Sequence, residues 1–138
     1  MQARQHNSRR HDAAGFTLIE LIIVVLVVTI LAALAMSGYG YAMIKTRRAA
    51  AEGCLTEAAQ VMERAYTVNM TYTGAVLPNP LCSADVSSYY TVGYAASEPT
   101  ATTYKFEAVP KGPQVKDSCG TLSLDHRANK QAATSGCW

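Results

Sequence analysis

The chain has 138 residues and a formal net charge of +2, with 49% of its residues hydrophobic and 16% charged. That length holds one domain plus appendages, and so apolar a composition excludes a solvated, disordered polyelectrolyte. Within residues 1–15, Arg4, Arg9 and Arg10 against Asp12 account for the whole excess; nine Lys/Arg balance nine Asp/Glu beyond Gly15, so nothing global demands nucleic acid or an anionic surface as partner.

Residues 1–15 are polar and basic, without apolar periodicity, and end in the small residues Ala13-Ala14-Gly15. Phe16 to Met36, "FTLIELIIVVLVVTILAALAM", is apolar on all sides. As a helix this run rises about 31 Å, close to the hydrocarbon thickness of a bilayer. An ordinary secretory signal is shorter and has its cleavage site after the apolar stretch; here the small-residue site comes before it. A cut after Gly15 therefore removes only the basic leader and leaves the apolar segment on the mature chain. Lys45, Arg47 and Arg48 flank the far side of the span, so the positive-inside count against Arg4, Arg9 and Arg10 is tied. All four cysteines follow the span, which places the downstream part on the oxidising side and the leader in the cytoplasm.

Glu20 lies inside the apolar segment. A carboxylate there costs about 2.5–3.5 kcal/mol unless it finds a partner. Snorkelling to the headgroups is one solution. The cut at Gly15 offers another, because it creates an α-amine on Phe16, mostly charged near neutral pH. Glu20 can pair with that amine within one chain or on a neighbour displaced by a small axial step, acting as a register key between stacked helices.

Residues 45 to about 72 predict an amphipathic helix. Leu55, Ala58, Met62, Ala65 and Tyr66 recur at spacings of three and four, with Arg48, Glu52, Glu57 and Glu63 mostly off that stripe. Thr73-Gly74 supplies the stop. No proline interrupts Phe16 to Leu77, so one continuous helix of about fifty residues is expected. Ser37, Gly38 and Gly40 in "MSGYG" lower helix propensity where the apolar zone ends, and read as a tolerated bend or, alternatively, as a compliant segment that can stretch.

"LPNPLC", from Leu77, is loop. "SSYYTVGYA" (87–95) and "ATTYKFEAV" (101–109) predict strands, the second with Tyr104, Phe106 and Ala108 alternating with Lys105 and Glu107. Ser97-Glu98-Pro99-Thr100 turns between them. "PKGPQ" reads as loop, "CGTLSLDH" (119–126) as a third strand with Leu122 and Leu124 on one face, and "RANKQAATSGCW" as a loop tail. The fold class is α+β: a long helix, hydrophobic then amphipathic, whose second half packs on a three- to four-stranded antiparallel sheet.

Catalysis finds no foothold, and the chain does not read as an enzyme. His6 and His11 leave with the leader, and His126 stands alone beside Asp125. Paired carboxylates at useful spacing, a nucleophile elbow and a Gly-rich phosphate loop are absent from the sequence. Cys54, Cys82, Cys119 and Cys137 form no C-x-x-C pair and have no His at zinc spacing, so two disulfides fit better than a metal site, and no cofactor is implied. Arg127 and Lys130 in the tail read as a solvated loop rather than a DNA contact.

"GFTLIE" followed by an apolar run and preceded by a basic leader resembles the class III signal of type IV pilins and their pseudopilin relatives. The likeness extends along the chain: "ERAYTVNMTYTGA" (63–75) and "DSCGTLSLDH…CW" (117–138) resemble PilE-type minor pilins of type IVa systems. The resemblance implies a pilin fold and a prepilin peptidase site at Gly15–Phe16. It further implies N-methylation of Phe16 and a role for Glu20 in assembly. The implied organisation is a leader (1–15), a transmembrane and filament-core helix (16–44) and a globular domain (45–138). That domain comprises helix to about 72, an αβ-loop at about 73–86, and sheet with D-region at about 87–138. Two departures stand out: Ser37 occupies a position where such pilins usually carry proline, and Thr29 lies where many have glycine. Of three possible cysteine pairings, Cys119–Cys137 with Cys54–Cys82 closes the shortest loops, the first as in a pilin D-region.

The implied partners are other pilin subunits, the prepilin peptidase, the inner-membrane assembly platform and the inner membrane itself before export into an extracellular pilus. The expected function is that of a structural subunit, a minor pilin in pilus initiation and assembly, supporting twitching motility, adhesion or DNA uptake. A major pilin or a DNA-binding competence pilin is the alternative. A secretion pseudopilin with a C-terminal calcium site ranks lower.

Overall fold

The computed structural model describes residues 15–138; the expected leader lies outside the described residues except for Gly15. The chain divides into two compact units that meet in sequence between Gly38 and Tyr39.

Helix α1 runs Leu18–Asn69 and contributes to both units. Its start follows from "TLIE": the Thr17 hydroxyl accepts the Glu20 backbone N–H at 3.3 Å, and the Glu20 carboxylate sits in the first turn, where the helix dipole favours it. The segment "MSGYG" stays helical. In the first unit the large apolar side chains from Leu18 to Met36 are exposed among the described residues. The helix ends three residues before the expected stop near 72. Met70 turns into the left-handed region (φ 55°), its N–H bonding the Tyr66 carbonyl at 2.8 Å.

In the second unit, one face of α1 is the wall of the core. Ala51, Cys54, Leu55, Ala58 and Met62 are buried at helical spacing, while Ala65 and Tyr66 at the end of the stripe are half-buried. They meet a four-stranded antiparallel sheet in the order β1 (Tyr90–Tyr94), β2 (Lys105–Pro110), β3 (Leu122–Asp125), β4 (Lys130–Gln131). The register pairs Val92 with Ala108 and Phe106 with Leu124, so alternate residues line one face. Phe106, Ala108, Leu122, Leu124 and Tyr90 are buried in one cluster with the helix stripe. A fully buried Phe106, Leu122, Leu55 or Met62 contributes about 1.5–3 kcal/mol each.

Several boundaries differ from the sequence reading. Ser87–Tyr89, expected in the first strand, belong to a short helix α2 (Ala84–Tyr89). Ser83 caps α2 by accepting the Val86 N–H, Asp85 sits in its first turn, and buried Val86 is its apolar anchor. The second strand begins at Lys105 because the Thr100 hydroxyl takes the Thr102 and Thr103 N–H groups, turning 100–103 into a closed loop. The second half of "PKGPQ", expected as loop, opens a 3-10 helix (Gly112–Lys116) with proline in its first turn. The tail, expected as loop, adds β4, whose two residues pair with Ser123 and Leu124.

Candidate functional site

Three places carry the chemistry. The first is the start of α1. Gly15 and Phe16 precede the helix and Glu20 lies in its first turn, with Phe16 and Glu20 exposed. The Thr17 hydroxyl bonds the Glu20 backbone, and among the described residues the Glu20 carboxylate makes no hydrogen bond or ion pair.

The second is the covalent frame. Cys54 on α1 is bonded to Cys82 in the loop that leaves it, a separation of 28 residues. Cys119, just before β3, is bonded to Cys137 in the tail, a separation of 18. Around the second bond the tail is also held by hydrogen bonds: Ala133 N–H to the Cys119 carbonyl at 3.0 Å, Thr134 hydroxyl to the Ser118 carbonyl at 2.9 Å, and the Trp138 indole N–H to the Gln131 carbonyl at 3.0 Å. Gly120, at φ +58°, is crossed so closely that an added Cβ would lie 3.0 Å from Ala133 Cβ.

The third is a groove of about 600 Å³ between α1 and the β3–β4 turn. Ala59, Tyr104 and Leu124 form its apolar part, with Glu63 and Gln60 on the helix side and His126, Arg127 and Lys130 on the turn side. Glu63 accepts the hydroxyls of Tyr104 at 2.9 Å and Tyr72 at 3.1 Å. Burial, reinforced by that carboxylate, pushes the Tyr104 phenol far above its usual range, so it stays a protonated donor. Burial pushes the Asp125 carboxyl up, but hydrogen bonds from the Asn129 side chain, the Asn129 and Arg127 backbone N–H groups and the charge of His126 outweigh it and hold the carboxyl below its usual range. The turn is thus tied by its own aspartate, and Arg127 and Lys130 are left exposed.

Beneath these surfaces lies a buried polar network that the sequence reading missed. Asp117, nearly fully buried, accepts Arg48 Nε at 3.0 Å and Gln114 Nε2 at 3.2 Å on one oxygen and the Cys119 N–H at 3.1 Å on the other. Gln114 Nε2 also reaches the Tyr90 hydroxyl and the Ile44 carbonyl, each at 3.0 Å. Burial raises the Tyr90 phenol above its usual value despite the opposing bond from Gln114. Arg48 and Asp117 are 69 residues apart, so no local pattern announces their pairing.

Among the described residues, no group of His, Cys, Asp and Glu could hold a metal ion. Among the described residues, none of the three places presents an activated nucleophile or an acid–base pair aimed into a pocket.

Comparison with known proteins fits this geometry. A prokaryotic N-terminal methylation motif matches residues 10–36. The crystal structure of the Neisseria meningitidis non-core minor pilin PilV superposes with a TM-score of 0.54 at 21% identity, covering 68% of this chain and 90% of that one; at such identity the likeness establishes the pilin fold. No curated protein matches the chain. The family model described as "Type IV minor pilin ComP, DNA uptake sequence receptor" matches residues 37–123, more than half of the sequence, taking in the second half of α1, the loop after it, β1, β2 and the start of β3. The chain belongs to this family of type IV minor pilins.

Proposed function

We propose that this minor pilin is made as a prepilin, cut between Gly15 and Phe16 by the prepilin peptidase and N-methylated at Phe16. The apolar half of α1 then holds it in the inner membrane, with the Tyr39–Trp138 unit periplasmic. From there the assembly platform delivers it into a type IV pilus together with other pilins, where it helps initiate or complete the filament. The observation that carries this reading is the unpartnered Leu18–Met36 surface: a bilayer first and neighbouring helices later are the two environments that can cover it. Glu20 supplies the polar element, pairing with the Phe16 amine that the cut releases. Glu20→Ala is expected to leave cleavage intact and to reduce pili per cell at least about tenfold, the effect of losing one contact of about 1.4 kcal/mol. Normal piliation with normal cleavage would remove Glu20 from assembly.

A second reading has its own support. The matched family is described as a DNA uptake sequence receptor, and Arg127 and Lys130 stand exposed at the rim of the α1–turn groove. If DNA binds there, the fragment from residue 44 onward, which keeps the buried core, gives a gel shift that weakens with salt. Arg127→Ala with Lys130→Ala then reduces the slope of log affinity against log salt by about 2. The balanced charge beyond Gly15 favours the structural role, and absence of any shift at low salt would leave that role alone.

A further inference from the structure

We propose that the 3-10 helix and the first turns of the second unit form a collar that rests on an anionic phospholipid surface while the subunit waits in the membrane. The inference builds on the membrane anchoring proposed above and adds a surface which that anchoring does not require.

The collar is built by one buried side chain. Gln114 is fully buried and bonds the Ile44 carbonyl of α1, which pins the 3-10 helix beside the turn of α1 that carries Ile44. The backbone N–H of Lys111 bonds the Tyr89 carbonyl at 2.9 Å and fixes the other end. With three residues per turn and Gln114 facing inward, the neighbouring positions are left outside. Gly112, Pro113, Val115 and Lys116 are all exposed, Val115 by 64%. Tyr39 and Tyr41 on α1 are exposed by 66% and 71%. A valine and a proline flanked by lysines, with two exposed tyrosines at the start of the same unit, is the composition of an interfacial contact: apolar tips enter the headgroup layer while ammonium groups stay among the phosphates.

Charge agrees. Lys45, Lys111 and Lys116 are exposed, and the Arg47 guanidinium lies over the Tyr89 ring, 3.6 Å from its centroid. The acids facing these cations are Asp117, which is committed to Arg48, Glu52, which acts on Arg48 and Asp117 from the next turn of α1, and Asp85, which lines a small cavity with Arg47, Met43 and Tyr89. Five cations, Lys45, Arg47, Arg48, Lys111 and Lys116, against these three acids leave a surplus of two positive charges here, on a chain whose charge beyond Gly15 is balanced overall. Exposed Lys45 is one of the three cations that tie the positive-inside count; on the translocated side it gains a use as a headgroup ligand.

The test uses the full chain in nanodiscs of phosphatidylcholine alone or with about a third phosphatidylglycerol, read by amide hydrogen exchange. Exchange across Gly112–Lys116 is expected to slow at least about fivefold when phosphatidylglycerol is present, with Thr102 and Thr103 unchanged. Lys111→Glu with Lys116→Glu, and separately about 1 M salt on the unaltered chain, should each restore the phosphatidylcholine rate. Equal exchange in the two lipids, or slowing that survives both charge reversal and salt, overturns the collar while the anchor stands. A chain that neither nanodisc retains overturns the anchor, and the collar with it.

Discussion

Asp117→Ala is expected to lower the stability of the folded unit by about 3–5 kcal/mol, because it strands a buried cation and three other donors at once. Arg48 is 13% exposed and has its Nε on the lost carboxylate; Gln114 and the Cys119 N–H lose the same group, and the Tyr90 hydroxyl loses a neighbour at 3.4 Å. A unit of this size holds about 5–15 kcal/mol in total, so the variant should unfold at markedly lower urea. Arg48→Met should cost less, since the carboxylate would keep the Gln114 and Cys119 donors and the methionine stem can replace the buried part of the arginine. Urea unfolding followed by Trp138 fluorescence orders the two. Equal midpoints for Asp117→Ala and the parent chain would mean that the network is not held together by its carboxylate.

Loss of the disulfides is the other large effect. Cys119→Ser with Cys137→Ser should cost about 3 kcal/mol in the loop-entropy account, and Cys54→Ser with Cys82→Ser a few tenths more, because it closes the longer loop. The two variants should differ more in kind than in size. Without Cys119–Cys137, the tail retains its bonds at Ala133, Thr134 and Trp138, so the damage should appear first as faster amide exchange at Ala133 and in β4. Without Cys54–Cys82, the loop from Met70 to Ser83 loses its tie to the buried face of α1, and Val86 loses the fixed entry to α2. If both pairs of substitutions left the urea midpoint unmoved, the bonds would be ornament on a core already sufficient.

The elements that were legible in the sequence are those whose cause is local. Alternation of Phe106 and Ala108 with Lys105 and Glu107 marks β2 because period two is visible in any window. The stripe from Leu55 to Met62 marks the buried face of α1 for the same reason, and "GFTLIE" is local by nature. What was not legible has causes at a distance or in competition. Ser87–Tyr89 carry strand-forming residues, yet Ser83 and Asp85 cap a helix turn just upstream and capture them. β4 has two residues, Lys130 and Gln131, with no apolar signature; only the edge of β3 makes them a strand. The pairing of Arg48 with Asp117, and of Glu63 with Tyr104 across 41 residues, exists only once the sheet has closed on the helix.

The exposed half of α1 has an energetic consequence for how such a subunit changes its surroundings. Lipid tails are as apolar as leucine, so moving Leu18–Met36 from a bilayer into a bundle of like helices exchanges hydrocarbon for hydrocarbon. On the proposed reading the hydrophobic effect therefore holds the chain out of water throughout but gives the transfer no direction. Direction must come from polar terms, from contacts between folded units and from work supplied by the assembly machinery. A single carboxylate in an otherwise uniform apolar surface then carries weight far beyond its size, because it is one of the few groups along that stretch for which membrane and filament are different solvents.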